Sequence, residues 1–228
     1  PNSYAAFEGQ GAMSHERRMR LMFVATLAIS AAVVWLAVSG DRHAFDSAAE
    51  VSVQQEGDAV VFAWRSEVKA PMALRLAEAF DKYANKTDRI ILEINSPGGD
   101  LAQGREVIDL MERMKRSHRV DTRVLPGDFC LSMCVPIFLK GEKRIAGRSS
   151  RFMFHEPGLY DAVTEREVRQ PKFEQRMDAE RYFQRYLATT EMNPDWGARL
   201  KAEWAGKDIW KTGRELVDEG SNIVTDLQ

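Results

Sequence analysis

Between residues 59 and 154, short apolar runs alternate with stretches of helical period. "AVVFAW", residues 59–64, predicts a strand buried on both faces. Pro71 then opens a helix, where its missing N–H is an orphan anyway, and Met72, Leu76, Phe80 and Tyr83 form the apolar stripe. A second strand, 89–94, carries Ile90, Ile91, Leu92 and Ile94, and Asn95, Ser96, Pro97, Gly98 and Gly99 break it at once. Val107, Leu110, Met111 and Met114 mark a further helix, "VDTRVL" (120–125) a strand, and "RFMF" (151–154) another. Residues 156–172 are polar and read as a loop. Phe173, Met177, Phe183, Tyr186 and Leu187 predict a long helix, and Trp196, Leu200 and Trp204 another. Strands alternating with helices in this way predict an α/β domain with largely parallel pairing.

The amino-terminal region follows a different pattern. Leu21 to Gly40 carries no charge and follows His15, Arg17, Arg18 and Arg20. That is long enough to span a bilayer, which takes ~20 residues. It predicts one N-terminal transmembrane helix, with a cleaved signal peptide as the alternative because Ala37-Val38-Ser39 precedes Gly40 as a small-residue cleavage site. The arginines stay inside, so the main domain is expected outside the cytoplasm, anchored to the inner membrane or, after cleavage, secreted. Pro1 to Ala12 has no clear pattern. The expected organisation is 1–20 as a tag or cytoplasmic N-terminus, 21–40 as anchor or signal peptide, 41–57 as a polar, alanine-rich linker, and 58–228 as the folded domain.

Bulk numbers narrow the function classes. A chain of 228 residues suits one domain plus an appendage, and a formal net charge of -2 gives no reason to expect a nucleic-acid partner. At 44% hydrophobic and 29% charged, the chain has enough apolar residues for a core. Two cysteines, Cys130 and Cys134, are too few for a disulfide scaffold or a four-ligand zinc site. No metal or cofactor is expected.

The candidate chemistry lies at element ends. Parallel sheets hold ligands beyond the carboxyl ends of their strands, which is where Gly98 and Gly99 fall. Paired glycines allow positive φ and close backbone approach, and without a Walker lysine they are not a phosphate loop. Ser132 sits in "FCLSMCVPIF". Pro136 is tolerated only in the first turn of a helix, so a helix over 133–140 must begin near Ser132. That puts Ser132 and the Met133 N–H at a helix amino end, which favours developing negative charge, while a plain N-cap is the ordinary use of such a serine. His155 follows a strand directly, and Asp208 precedes a short predicted helix; taken singly, each is as readily structural or solvated. Cys130 and Cys134 on one helical face would have Cα atoms ~6 Å apart, within disulfide range. Side-chain directions one helical turn apart disfavour a bridge, so two buried thiols are the favoured reading and a disulfide the alternative.

The order of the pieces carries more than any one of them. "INSPGGD", then Ser132-Met133, then "FMFHEP", then "DIWKTGRELVDEG" resembles the proteolytic subunit of the Clp protease and its relatives in the ClpP/crotonase superfamily. The resemblance covers roughly Val60 to Val224 and is strongest to periplasmic ClpP-like proteins with a Cys-x-Ser-x-Cys core. It implies a spiral of ββα units, with Ser132 as nucleophile, His155 as general base and Asp208 as its orienting acid, Glu156 and Asp161 being the alternative acids. The N–H groups of Gly99 and Met133 would form the oxyanion hole. It further implies a peptide or protein substrate, a homo-oligomer, and a handle region over 156–190. The expected function is an exported, membrane-anchored serine peptidase. The alternative is a catalytically inactive peptide-binding or interaction module on the same fold. No ATP-dependent unfoldase is expected as a partner, because ATP is lacking outside the cytoplasm.

Overall fold

The computed structural model describes residues 51–159 and 166–228. The expected anchor or signal peptide over 21–40, the segment 1–20, most of the expected linker and the alternative acid Asp161 lie outside the described residues. Among the described residues no helix is long and apolar enough to cross a membrane.

β1 (Ser52–Glu56) and β2 (Ala59–Trp64) form a hairpin closed by Gly57 and Asp58, with Gly57 at φ 59°. A two-residue hairpin loop requires such a positive φ. The linker expected over 41–57 therefore gives way at Ser52 to an edge strand. Val51 and Val53 pack on the core while Gln54, Gln55 and Glu56 face water. α1 (Met72–Tyr83) buries Met72 and Leu76 fully and packs Phe80 and Tyr83 against the core, as its stripe predicts. β3 (Arg89–Ile94) leads through the glycine turn to α2 (Leu101–Met114). Asp100 caps α2 by accepting from the Gln103 N–H at 2.6 Å.

The chain then winds twice through the same unit. β4 (Arg119–Val124), β5 (Phe129–Leu131) and α3 (Cys134–Phe138) form one ββα turn. β6 (Arg144–Ala146), β7 (Arg151–Phe154) and α4 (Lys172–Tyr182) form the next. α4 continues as a π-helical turn, Phe183–Leu187, followed by α5 (Pro194–Glu203), β8 (Ile209–Thr212), α6 (Gly213–Asp218) and β9 (Asp226–Leu227). One strand of each turn enters a six-stranded sheet of order β1-β2-β3-β4-β6-β9, parallel from β2 onward. The other enters a three-stranded sheet, β5-β7-β8.

α3 is shorter than the span 133–140 expected for it. Beyond Phe138 the Lys140 and Gly141 N–H groups turn back to carbonyls three residues earlier, at 3.1 and 3.2 Å, which ends the helix. Pro136 lies in its first turn, where it removes no needed donor.

The large sheet is covered on both faces, hence the unbroken apolar run of β2. One face sends Val60, Phe62, Trp64, Ile90, Leu92, Ile94, Val120 and Val124 into the main core under the helices. The other carries a small cluster, Ala59, Val61 and Ile91. It is bordered by an ionic ladder in which Arg123 donates to Glu93 at 3.0 Å and to both Glu56 oxygens at 2.8 Å.

Candidate active site

Three chain segments reach one edge of the small sheet. β5 lies parallel to β7 with Leu131 opposite Met153, so Ser132 and His155 both follow strands that end side by side. β8 runs antiparallel to β7 with Ile209 opposite Phe154. Continued by one residue, that register sets Asp208 against His155.

The chain reverses at Ser132. Its N–H donates to the Met153 carbonyl at 2.9 Å, its φ is 52°, and its carbonyl accepts from the Val135 N–H at 3.0 Å. A positive φ outside glycine is uncommon and strained, and here it lifts the Oγ out of the strand line. Cys130 and Cys134 bracket the reversal with their Sγ atoms bonded at 1.99 Å and Cα atoms 5.2 Å apart. They do not share a helical face, as their spacing suggests. Cys130 lies within β5 and Cys134 opens α3, so the sharp turn between them brings the side chains together and the argument from helical directions does not apply.

His155 Nε2 lies 2.7 Å from Ser132 Oγ. Burial pushes the imidazole below its ordinary pKa of 6.5, and the Asp208 charge pulls it back up. A neutral ring whose Nε2 accepts the Ser132 hydroxyl proton carries its own hydrogen on Nδ1. No hydrogen bond or ion pair joins Asp208 to His155. The Asp208 carboxylate is exposed and acts on the ring through space. Glu156, next to the histidine, accepts from the Gly206 N–H at 3.1 Å and so ties the end of β7 to the loop that bears Asp208. Nothing in the sequence pattern pointed to that tie beyond its adjacency to His155.

The glycine pair lies against the reversal. Gly98 has φ 89°, and a Cβ there would fall 2.6 Å from Ser132 Cβ and 3.0 Å from Met133 N. Gly99, at φ 142°, is bridged to Val68: the Val68 N–H donates to the Gly98 carbonyl and the Asp100 N–H to the Val68 carbonyl, both at 2.7 Å. These bonds use the groups on either side of Gly99. Its own N–H has no acceptor among the described residues, and the residue is exposed. The Met133 N–H is likewise unpaired there. The Met133 side chain is anchored beneath, against Gly104 of α2, where a Cβ would come within 2.4 Å of it. That contact accounts for a glycine inside a helix. With five residues, α3 has little dipole to offer, so any pull on an anion comes from these individual N–H groups.

A groove of about 440 Å³ lies between Leu101 and Arg105 of α2 on one side and Pro157, Gly158 and Leu159 on the other. Among the described residues no group of His, Cys, Asp and Glu side chains is placed to hold a metal ion.

A family model described as Clp protease matches residues 62–216. Among solved structures, an asparagine-to-aspartate mutant of ClpP1 from Listeria monocytogenes aligns with a TM-score of 0.57 and 19% identity, covering 74% of this chain and 90% of that one. At that identity the likeness speaks for the fold. No curated protein matches the chain.

Proposed function

The chain belongs to the Clp protease family, and from that premise we propose that it is a serine peptidase in which Ser132, His155 and Asp208 work as a triad. The observation that carries the reading is the 2.7 Å contact between His155 Nε2 and Ser132 Oγ, made at a residue held in a positive-φ turn. A substrate strand pairs in extended form with the open backbone edge at Gly99. Ser132 Oγ bonds to the scissile carbonyl carbon, and its proton passes to His155 Nε2. The carbonyl oxygen becomes an oxyanion and accepts from the Gly99 and Met133 N–H groups. Losing one such donor typically costs about 3–4 kcal/mol in the transition state. Collapse expels the amine, which takes the proton from His155. Water then repeats the sequence on the acyl-enzyme and frees Ser132. Asp208 favours the imidazolium through its charge, in line with its upward pull on the ring.

We place this chemistry outside the cytoplasm, held at the inner membrane by residues 21–40. Two features support that: the uncharged stretch behind three arginines, and a disulfide beside the nucleophile, which suits an oxidising compartment. A homo-oligomer fits the family.

The test is covalent labelling with a fluorophosphonate. The wild-type chain is expected to label and Ser132→Ala is not; labelling that survives the substitution rules out the assignment. The missing hydrogen bond between His155 and Asp208 favours a second reading, a peptide-binding module without turnover. Saturable peptide binding without labelling would support it.

A further inference from the structure

We propose that the pocket for the residue on the acyl side of the scissile bond admits only small side chains (glycine, alanine or serine), because Tyr182, Leu187 and Trp204 fill it. The inference rests on the hydrolase reading above. Beside Ser132 and His155 lies a recess of about 10 Å³. A space of that size holds one water at most. Its walls are apolar and buried: Val135, Phe154, Leu187 and Trp204 are each 3% exposed or less, and Tyr182 is 8% exposed.

The walls are also locked together. Trp204 meets Phe183 edge-on at 5.6 Å and Tyr182 at 6.3 Å, and Tyr182 packs on Tyr186 at 5.3 Å. In an interior packed this closely, one ring turns only if its neighbour yields. The groove next to the recess is far roomier, about 440 Å³, and Tyr182 lines both spaces. This one phenol ring is therefore the partition between a closed recess and an open cleft. A peptide lying across Ser132 has room for large side chains along the groove. It has almost none beside the carbonyl under attack, because the recess there touches Ser132 and His155 themselves.

Aminoalkyl diphenylphosphonates test this, since each carries an acyl-side residue and nothing beyond it. Ser132 Oγ bonds to phosphorus, phenoxide leaves, and the serine proton passes to His155. The full chain is treated with the alanine, leucine and phenylalanine analogues, and the labelled fraction is followed by intact mass. Misfit by even one methylene discriminates about 10–200-fold, so the alanine analogue is expected to label at least about 30-fold faster than the phenylalanine one. Tyr182→Ala opens the recess into the groove, and Leu187→Ala enlarges it from another side. Each is expected to raise the phenylalanine-to-alanine ratio about tenfold or more. Both rates are measured on the same preparation, so a variant that folds incompletely lowers both and leaves the ratio intact. Equal rates for all three analogues, or a ratio that neither substitution moves, overturns the inference while the hydrolase reading stands. Failure of every analogue and of the fluorophosphonate overturns the hydrolase reading, and the size rule with it.

Discussion

Two regions of this molecule bury ionisable side chains, and they treat them in opposite ways. On the outer face of the large sheet the buried Arg123 and Glu93 are paired. Arg123 binds Glu93 and both oxygens of Glu56, and Arg65 closes on Glu93 at 3.0 Å. The bonds with Arg123 hold the Glu56 carboxyl below its usual range, and those with Glu56 and Glu93 raise the Arg123 guanidinium above its own. At the edge of the small sheet the bonding is left incomplete. His155 is half-buried with its pKa pushed down, and among the described residues Asp208 has no bonded partner and two backbone donors beside Ser132 have no acceptor. A saturated network fixes one geometry. An unsaturated one keeps capacity for a molecule that arrives later, which is why perturbed, under-bonded groups gather where chemistry is done.

The contrast can be broken from either side. Ser132→Ala is expected to lower kcat/KM toward a peptide by about 10⁴-fold or more, with the thermal unfolding midpoint unchanged. A loss below tenfold would move the nucleophile elsewhere. Arg123→Met should do the reverse. It leaves the buried Glu93 carboxylate with Arg65 as its remaining cation and is expected to cost about 2 kcal/mol in urea unfolding, with kcat/KM per folded molecule retained.

Smaller effects sharpen the picture. The Cys130–Cys134 bridge closes a short loop, four residues in separation. Loop-closure entropy then gives about 2 kcal/mol, lost in the Cys130→Ser, Cys134→Ser double variant and measured by the same urea unfolding. Activity should fall as well, because the bridge spans the turn that holds Ser132; full activity in the double variant would show that the elbow stands by itself.

The pH dependence follows from the direction of the histidine shift. His155 must be neutral to accept a proton, and its folded pKa lies below 6.5, so the acid limb of kcat/KM is expected below pH 6.5. Asp208→Asn removes the upward pull and should move that limb lower still. It should also cost less than the ~10⁴-fold of a hydrogen-bonded triad aspartate. For stability the sign is the same. The contribution of a neutral buried His155 is complete above pH 6.5 and is lost as pH falls from there through the lowered value.

Much of this was legible in the chain. β2, β3 and β7 announced themselves by composition, and α1, α2 and α5 by period, because both signals are local and repeat over several residues. β5, β6 and β9 were not legible. They have three, three and two residues, too few for any period, and they exist only because a partner strand is there to pair with. β1 had a signal, Gly57-Asp58, but Gln54, Gln55 and Glu56 after Val53 broke its alternation. At the site, residue types and order pointed to Ser132 and His155, which lie in contact. The part of Glu156 did not show, since it depends on a loop fifty positions away.

Sequence alone settled what neighbours along the chain can settle: which of the longer segments are strands or helices, where glycine must sit so that a backbone can bend, and where a stretch without charge begins and ends. Only the tertiary structure decided that Cys130 and Cys134 meet across a turn, that Asp208 faces His155 without bonding to it, and that Tyr182, Leu187 and Trp204 close the space beside Ser132. Periodicity and backbone sterics act over a few residues and are written in order. Register and packing are set by groups brought together from far apart, and their outcome exists only once the chain has closed on itself.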